Sequence, residues 1–479
     1  MYKIREYQAD IIGLLETSLY LVTELKIAFT MKLFNDLVLK FEKSDWAKNP
    51  EFGVIDSVLE SHPEICHLFK LDIAGNDDVN NLGRGDAPSV EQIVRAAIYK
   101  EMKGYDYREL EYAQSDSRIC STFIRLDERT PFCFQTFQKY ISRISEDTLH
   151  KVLVEIVKVA IEEGFEDISK IRQDSTVVKS NIHYPTNNSL VWDCIHESHR
   201  LLSHLKEEVG TLSFIDFTKS AKTTYFKINV NKSNDKQVEL FKKQLITFTK
   251  AINQVSNIVK KKFDILSLKV FILVTELEEL LPLMEKVYSM TNRKQILGES
   301  VPNDQKLFSI YELHADIIVK GGREVQFGHK VNLATGKTNL IIDCVIPAGN
   351  PSDTSLFNPT IDRVIDNYGI TPRDSSADGG YACQGSLDHC KSKGIVNIVF
   401  NKVTKSLKNV ASSLNMETRL KKWRSGIEAV ISNFKRGFDS RICNWKGFKH
   451  FKAKVMWSVL GYNFRVLTNI ILSRIAALA

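Results

Sequence analysis

Residues 314–347 read HADIIVKGGREVQFGHKVNLATGKTNLIIDCVIP, three short runs rich in Val, Ile and Leu parted by Gly, Thr and Lys. Each run has the length and composition of a strand. Two more runs follow, DSSADGGY at 374–381 and GIVNIVFNK at 394–402, and one precedes them at a distance, DISKIRQDSTVV at 167–178, which reads as a strand leading into a turn. Between Leu190 and about Leu307 the period changes to that of helices, as in VELFKKQLITFTKAINQVSNIVKKKFDIL at 238–266 and VTELEELLPLMEKVYSM at 274–290. The simplest architecture is α/β: one mixed sheet, split in sequence by a helical insertion at about 190–307, with helices before and after it.

From Met1 to about His150 apolar residues recur at helical spacing, as in Ile11, Leu14, Leu15, Leu19 and Val22. An all-helical region over 1–150 is therefore expected ahead of a domain over 151–479. The break GNDDVNNLGRGDAP at 75–88 divides the helical region. Ser89 and Gln92 then have the spacing of a capping box that opens a helix running to about Lys103, where Gly104 ends it. The pieces Tyr105–Ala113 and Ser117–Leu126 complete a layout compatible with a helix-turn-helix. The second piece offers Arg118, Ser121, Thr122 and Arg125 to a DNA groove.

With 43% apolar and 26% charged residues over 479 positions, the chain has a globular composition long enough for two or three domains. Its net charge of +7 is unevenly spread: residues 401–479 hold ten Lys and six Arg against one Asp and two Glu, a surplus of thirteen, so the remainder carries −6. A basic block on a nearly neutral body suits a polyanion, because cations that neutralise phosphates release condensed counterions. The eight cysteines form no CxxC pair, and His389 beside Cys390 lacks the companions a zinc site needs, so reduced thiols are expected. MYKIREYQADIIG lacks the order of a signal peptide, and the apolar stretch Met456–Ala479 is interrupted by Arg465 and Arg474. A cytoplasmic chain without a membrane span is the expectation.

Three acids sit where strands end or a helix exposes a face: Asp174 at the end of the first strand, Asp378 in SSADGGY, where two glycines leave room beside the carboxylate, and Glu428 in the helix KKWRSGIEAVISNFKRGF. Acids at the carboxyl ends of adjacent strands can converge although distant in sequence. Three carboxylates make a hard oxygen set suited to magnesium, and two such ions can activate an attacking oxygen and stabilise a leaving one at phosphorus. Arg424 lies four residues before Glu428 and Lys435 seven after, which puts all three on one helix face.

On these residues the chain resembles the DDE transposases of bacterial insertion sequences. Arg424, Glu428 and Lys435 match the R, E and K of the YREK signature of one branch, and Asp174 in DSTVV and Asp378 in ADGGY look like the first two acids of the triad. IHYPTNNSLVWDCI at 182–195, IPAGNPSDTSL at 346–356, GIEAVISNFKRGF at 426–438 and the segment from Gln92 to Phe137 are similar to stretches of such proteins. The resemblance covers about 90–470 and departs where the signature's tyrosine would stand, at Lys421, with Trp423 nearby.

It implies a ribonuclease-H-like core, two magnesium ions for which manganese can substitute, binding to terminal inverted repeats and to target DNA, and strand cleavage followed by strand transfer in a homodimer or higher assembly. Asp174, Asp378 and Glu428 would be the metal ligands; Arg424, Lys435, Arg436 and Lys179 would contact DNA phosphates. His183, close after the first acid, and Asp353, beside the site or capping the helix that starts near Thr354, are lesser candidates. A nuclease on the same fold would keep the acids without recognising inverted repeats. A DNA-binding protein that has lost catalysis would need only the basic block.

Overall fold

The computed structural model describes residues 31–32, 38–39, 46, 48–75, 87–126, 130–261, 267–320, 324–403 and 406–478. The helix expected around Ile11–Val22 and most of the Gly75–Pro88 break lie outside the described residues. By packing, the chain divides into two units: residues 1–179 with 329–479, and residues 180–328.

The first unit is organised on β1 (Lys170–Ser180), an eleven-residue strand buried along most of its length. Beside it runs β5 (Asp374–Ala377), parallel, and beside that β6 (Asn397–Phe400), also parallel. On the other side of β1 lies β3 (Glu324–Thr335), which pairs antiparallel with β4 (Ile341–Val345) through a register shift at Ala334/Thr335. The two-residue β7 (Ile442–Cys443) pairs with β1. With β2, described with the second unit, seven strands form one mixed sheet. Parallel neighbours need crossovers. Two helices follow this rule, α13 (Asp353–Tyr368) ahead of β5 and α14 (Gln384–Ser392) between β5 and β6.

The helices before the sheet are α1 to α8: Pro50–Ser61, Pro63–His67, Lys70–Ala74, Val90–Lys103, Tyr107–Asp116, Arg118–Phe123, Phe134–Ile141 and Glu146–Glu162. α4 begins with the expected capping box, Ser89 and Gln92 exchanging hydrogen bonds, and ends on Gly104 at φ 71°. These helices are not a separate body. Their apolar faces join those of the sheet and of the last helix, α17 (Phe448–Leu478), in one core, where Phe69 of the segment before α3 stacks on Trp457 at 5.7 Å. The division expected near residue 150 therefore does not divide the packing, because α8 and α4 bury their apolar stripes against α17. α17 is the helix that, by length and composition, could cross a membrane; 72% of its most apolar stretch is buried inside the protein.

The second unit, 180–328, packs four helices around its own core. These are α9 (Asn187–Val209), capped by Thr186, α10 (Thr218–Val230), α11 (Asn234–Val259) and α12 (Leu268–Thr291). Its remaining strand, β2 (Asp316–Lys320), pairs antiparallel with residues 324–328 of β3. The helical insertion read at about 190–307 thus spans Asn187–Ile296, inside a unit that also carries this hairpin.

Two local readings are corrected. β1 does not turn after Asp174 but runs on to Ser180, since Ser175–Val178 are apolar or small enough to be buried in the sheet. KKWRSGIEAVISNFKRGF is two helices, α15 (Leu414–Arg424) and α16 (Gly426–Gly437), interrupted at Ser425.

Candidate active site

The parallel register of β1 and β5 sets Gln173 beside Ala377. The next residues along each strand are Asp174 and Asp378, so the register brings the two acids together at one point of the sheet, on neighbouring strands about 4.8 Å apart. Asp378 follows the last residue of β5 and caps the short turn Gly379–Tyr381. Close approach constrains both glycines of that turn, Gly379 more than Gly380. A Cβ at Gly379 would sit 2.5 Å from the Lys402 carbonyl oxygen, and one at Gly380 would sit 3.0 Å from Asp353 Oδ2. The room expected beside the Asp378 carboxylate is taken by Lys402 and Asp353.

Glu428 comes from the first turn of α16, and Arg424 from the last residue of α15. The Arg424 guanidinium gathers all three acids: one terminal nitrogen donates to Asp174 Oδ2 at 2.6 Å and lies 3.7 Å from Asp378 Oδ1, while the other lies 3.3 Å from Glu428 Oε1. Arg424 is buried, 6% exposed, whereas the side chains of Asp174, Asp378 and Glu428 are 16%, 46% and 67% exposed. The cluster is anchored on the sheet side and open to solvent on the helix side. Arg424 and Glu428, four residues apart, form an ion pair, but the shorter bond is to Asp174, 250 residues away.

A further layer holds these groups. Asp353 is the first residue of α13, whose cap is Ser352, and it takes the Ser175 hydroxyl at 3.2 Å and Lys330 Nζ at 2.9 Å. It thereby connects the residue next to Asp174 with the turn after Asp378. Tyr381 donates to Asn332 Oδ1 at 2.6 Å; burial first, then the carboxylates of Asp353, Asp174 and Asp378, push its phenol well above the ordinary range.

Arg172, two residues before Asp174 and 2% exposed, is held by neutral oxygens. It donates to Thr335 Oγ1 at 2.9 Å, to the Trp423 carbonyl at 2.5 Å and to Asn339 Oδ1. Burial lowers this guanidinium to about 10. Lys170 and Arg172 lie over the Trp423 ring at 4.3 and 4.7 Å, while Lys421, where the signature's tyrosine would stand, pairs with Glu417 at 2.7 Å. Arg172 thus binds β1 to the junction of α15 and α16, the point that aims Arg424 and Glu428. Nothing local in KIRQDSTVVKS, which also carries Lys170, Gln173 and Asp174, singled it out.

The remaining candidates are dispersed. Lys435 lies in the last turn of α16, roughly 10 Å along the helix from Glu428. Arg436 is exposed beside it, donating to Ser432 at 3.4 Å. Lys179 lies on β1, with its backbone N–H on the Arg441 carbonyl at 3.0 Å. Arg118 is exposed at the start of α6. Arg125, expected to face a DNA groove, is instead held by Asp56 and Glu60, because it lies two residues past the end of α6 at φ 60° with its guanidinium toward α1. His183 pairs with Asp193 at 3.2 Å within the second unit.

Among the described residues no cluster of three or more His, Cys, Asp or Glu is arranged to hold a metal ion. The donor chemistry still fits a hard divalent cation, since the oxygens of three acids surround one positive charge. The Arg424 guanidinium stands at the centre of those oxygens.

Residues 318–464 match the family model of the transposase DDE domain. No curated protein and no solved structure matches the chain. The matched span contains Asp378, Arg424, Glu428 and Lys435 and leaves Asp174 outside it, supplied by β1. Over residues 318–464 the chain carries a match to the transposase DDE domain, and this match supports a DDE transposase.

Proposed function

We propose that this protein is the transposase of a bacterial insertion sequence, of the branch with the Arg-x3-Glu-x6-Lys spacing, acting on DNA in the cytoplasm. It binds the terminal inverted repeats of its element and cuts and transfers DNA strands on a ribonuclease-H-like core with Asp174, Asp378 and Glu428. One observation carries the reading: carboxylates at positions 174, 378 and 428, from two strands and a helix, converge on a single guanidinium. Acids with no polar partner but each other would repel; a structure that gathers them has a use for concentrated negative charge.

Asp174, Asp378 and Glu428 are the ligands for a pair of divalent ions, magnesium or manganese, which would supply Lewis-acid activation of the attacking oxygen and charge relief at the leaving one. Asp353 and Lys330 hold the strand ends that present the two aspartates. Arg424 turns its planar fork from the carboxylates to a DNA phosphate, gripping two oxygens and fixing the phosphorus for in-line attack. Lys435, Arg436, Lys179 and Arg118 add phosphate contacts, and two copies of the chain pair two DNA ends.

The test uses duplex DNA from the ends flanking the coding sequence, with magnesium or manganese. Asp174→Asn, Asp378→Asn and Glu428→Gln are each expected to abolish cleavage and leave DNA binding largely intact, because each removes an anionic ligand and no phosphate contact. Near-normal cleavage by any one of them removes that residue from the site. Cleavage without preference for the element's ends would make the protein a nuclease.

A further inference from the structure

A second concave site lies on the first unit, at the far end of α16 from Glu428. It encloses about 850 Å³ between that helix, the turn at Thr338 and Asn339, and the outer face of α17. Three arginines line it, Arg436, Arg465 and Arg474, with Asn433, Asn469 and the apolar face of Tyr462 among their neighbours; of the described residues that line it, none is acidic.

Two of the arginines are held flat by aromatic rings. Arg474 lies 4.6 Å over Phe165 and donates to the Gly164 carbonyl, and Arg465 lies 4.9 Å over Phe438 and donates to the Met102 carbonyl at 2.7 Å. Glu51, paired with Arg465 at 3.2 Å from outside the lining, offsets one of the three charges. Stacking on rings costs the guanidinium little entropy on binding and fixes the plane of its donors, the arrangement that suits phosphate oxygens. The cleft is therefore a rigid cationic trough with amide donors on its rim.

Its position supplies the ligand. Glu428 and Arg436 are eight residues apart on α16, roughly 12 Å along the axis. With the duplex axis along α16, one DNA strand advances about 3.4 Å per nucleotide, so 12 Å covers three to four nucleotides. We propose that this cleft holds the phosphodiester backbone of duplex DNA, three to four nucleotides from the phosphate that lies at the three carboxylates. The proposal rests on the transposase reading and adds to it a second, sequence-independent grip built from Arg436, Arg465 and Arg474.

The experiment is equilibrium binding of the full chain to a fluorescent duplex, without divalent ions, over a range of potassium chloride. Each phosphate contact contributes about 0.9 to the slope of log K against log salt. Arg436→Gln with Arg474→Gln is expected to lower that slope by about 2, and the corresponding double change to Lys to restore it. Asn433→Asp with Asn469→Asp, both at exposed positions, adds two negative charges without removing an arginine, and is expected to weaken binding at low salt even if the Gln variant fails to fold. Wild-type binding with an unchanged slope and affinity in the Gln and the Asp double variants overturns the cleft and leaves the transposase reading standing. Wild-type protein that binds no duplex overturns that reading, and the cleft with it.

Discussion

Gly426→Ala inverts the usual sign of a glycine-to-alanine change in a helix, and the reason is Arg172. Gly426 is the first residue of α16, where alanine ordinarily stabilises by up to about 1 kcal/mol. Here the added Cβ would overlap the Arg172 guanidinium, well inside the 3.0 Å that real Cβ atoms keep. The guanidinium cannot give way, since Thr335, the Trp423 carbonyl and Asn339 hold it on three sides and the Trp423 ring covers it. Overpacking of this kind costs about 1–3 kcal/mol. The net expectation is a loss of about 1–2 kcal/mol in wild type. In an Arg172→Met background the obstacle is gone and the same alanine is neutral or stabilising by up to about 1 kcal/mol, which gives a coupling of about 2 kcal/mol between the two positions. Urea unfolding of the four proteins, followed by tryptophan fluorescence, measures it. Equal effects of Gly426→Ala in both backgrounds, within about 0.5 kcal/mol, would refute the reasoning.

Other consequences are as open to measurement. Arg424→Ala removes the cation that the three acids now surround, so manganese affinity of the DNA-free protein should rise tenfold or more, about 1.4 kcal/mol, while DNA affinity falls; titration of the variant with unchanged or weaker manganese binding would contradict this. Burial raises the Asp193 carboxyl to about 6, against the attraction of His183 and His196. The native state then keeps a proton that the unfolded chain releases near its ordinary value of about 3.9, so this group's contribution makes stability fall as pH rises from about 4 to 6. Asp193→Asn should flatten that window, and an unaltered pH profile would show that the group does not govern it. Gly380→Ala presses a methyl against Asp353 at 3.0 Å and should reduce cleavage with less than about 1 kcal/mol lost in stability; normal cleavage would detach Asp353 from the site.

What was legible in the sequence was what is local. The Ser89 and Gln92 box, the stop at Gly104, the five strand runs after residue 314 and the helices of the insertion all follow from spacing and turn chemistry over a few residues. Arg424 and Glu428 were within reach because an i,i+4 pair is itself a local fact. The Asp174 bond to Arg424, the three bonds of Arg172 and the Asp353 bridge between Ser175 and Lys330 link positions up to 251 apart, and nothing in a short window records them. The same limit placed the end of β1 too early, since its continuation is decided by burial between neighbouring elements. It also detached the N-terminal helices from a core that α17 completes.

That last helix has a consequence for synthesis. The helices at 50–162 leave the ribosome long before residues 448–478, and at about 5–20 residues per second the wait is roughly 15–60 s. During it Phe69 has no Trp457 to stack on, and the apolar stripes of α4 and α8 face solvent or a chaperone. A chain cut short anywhere before residue 448 can neither close this core nor, if it ends before residue 428, assemble all three acids. Only a chain made through α17 can close the core that holds the three acids in place.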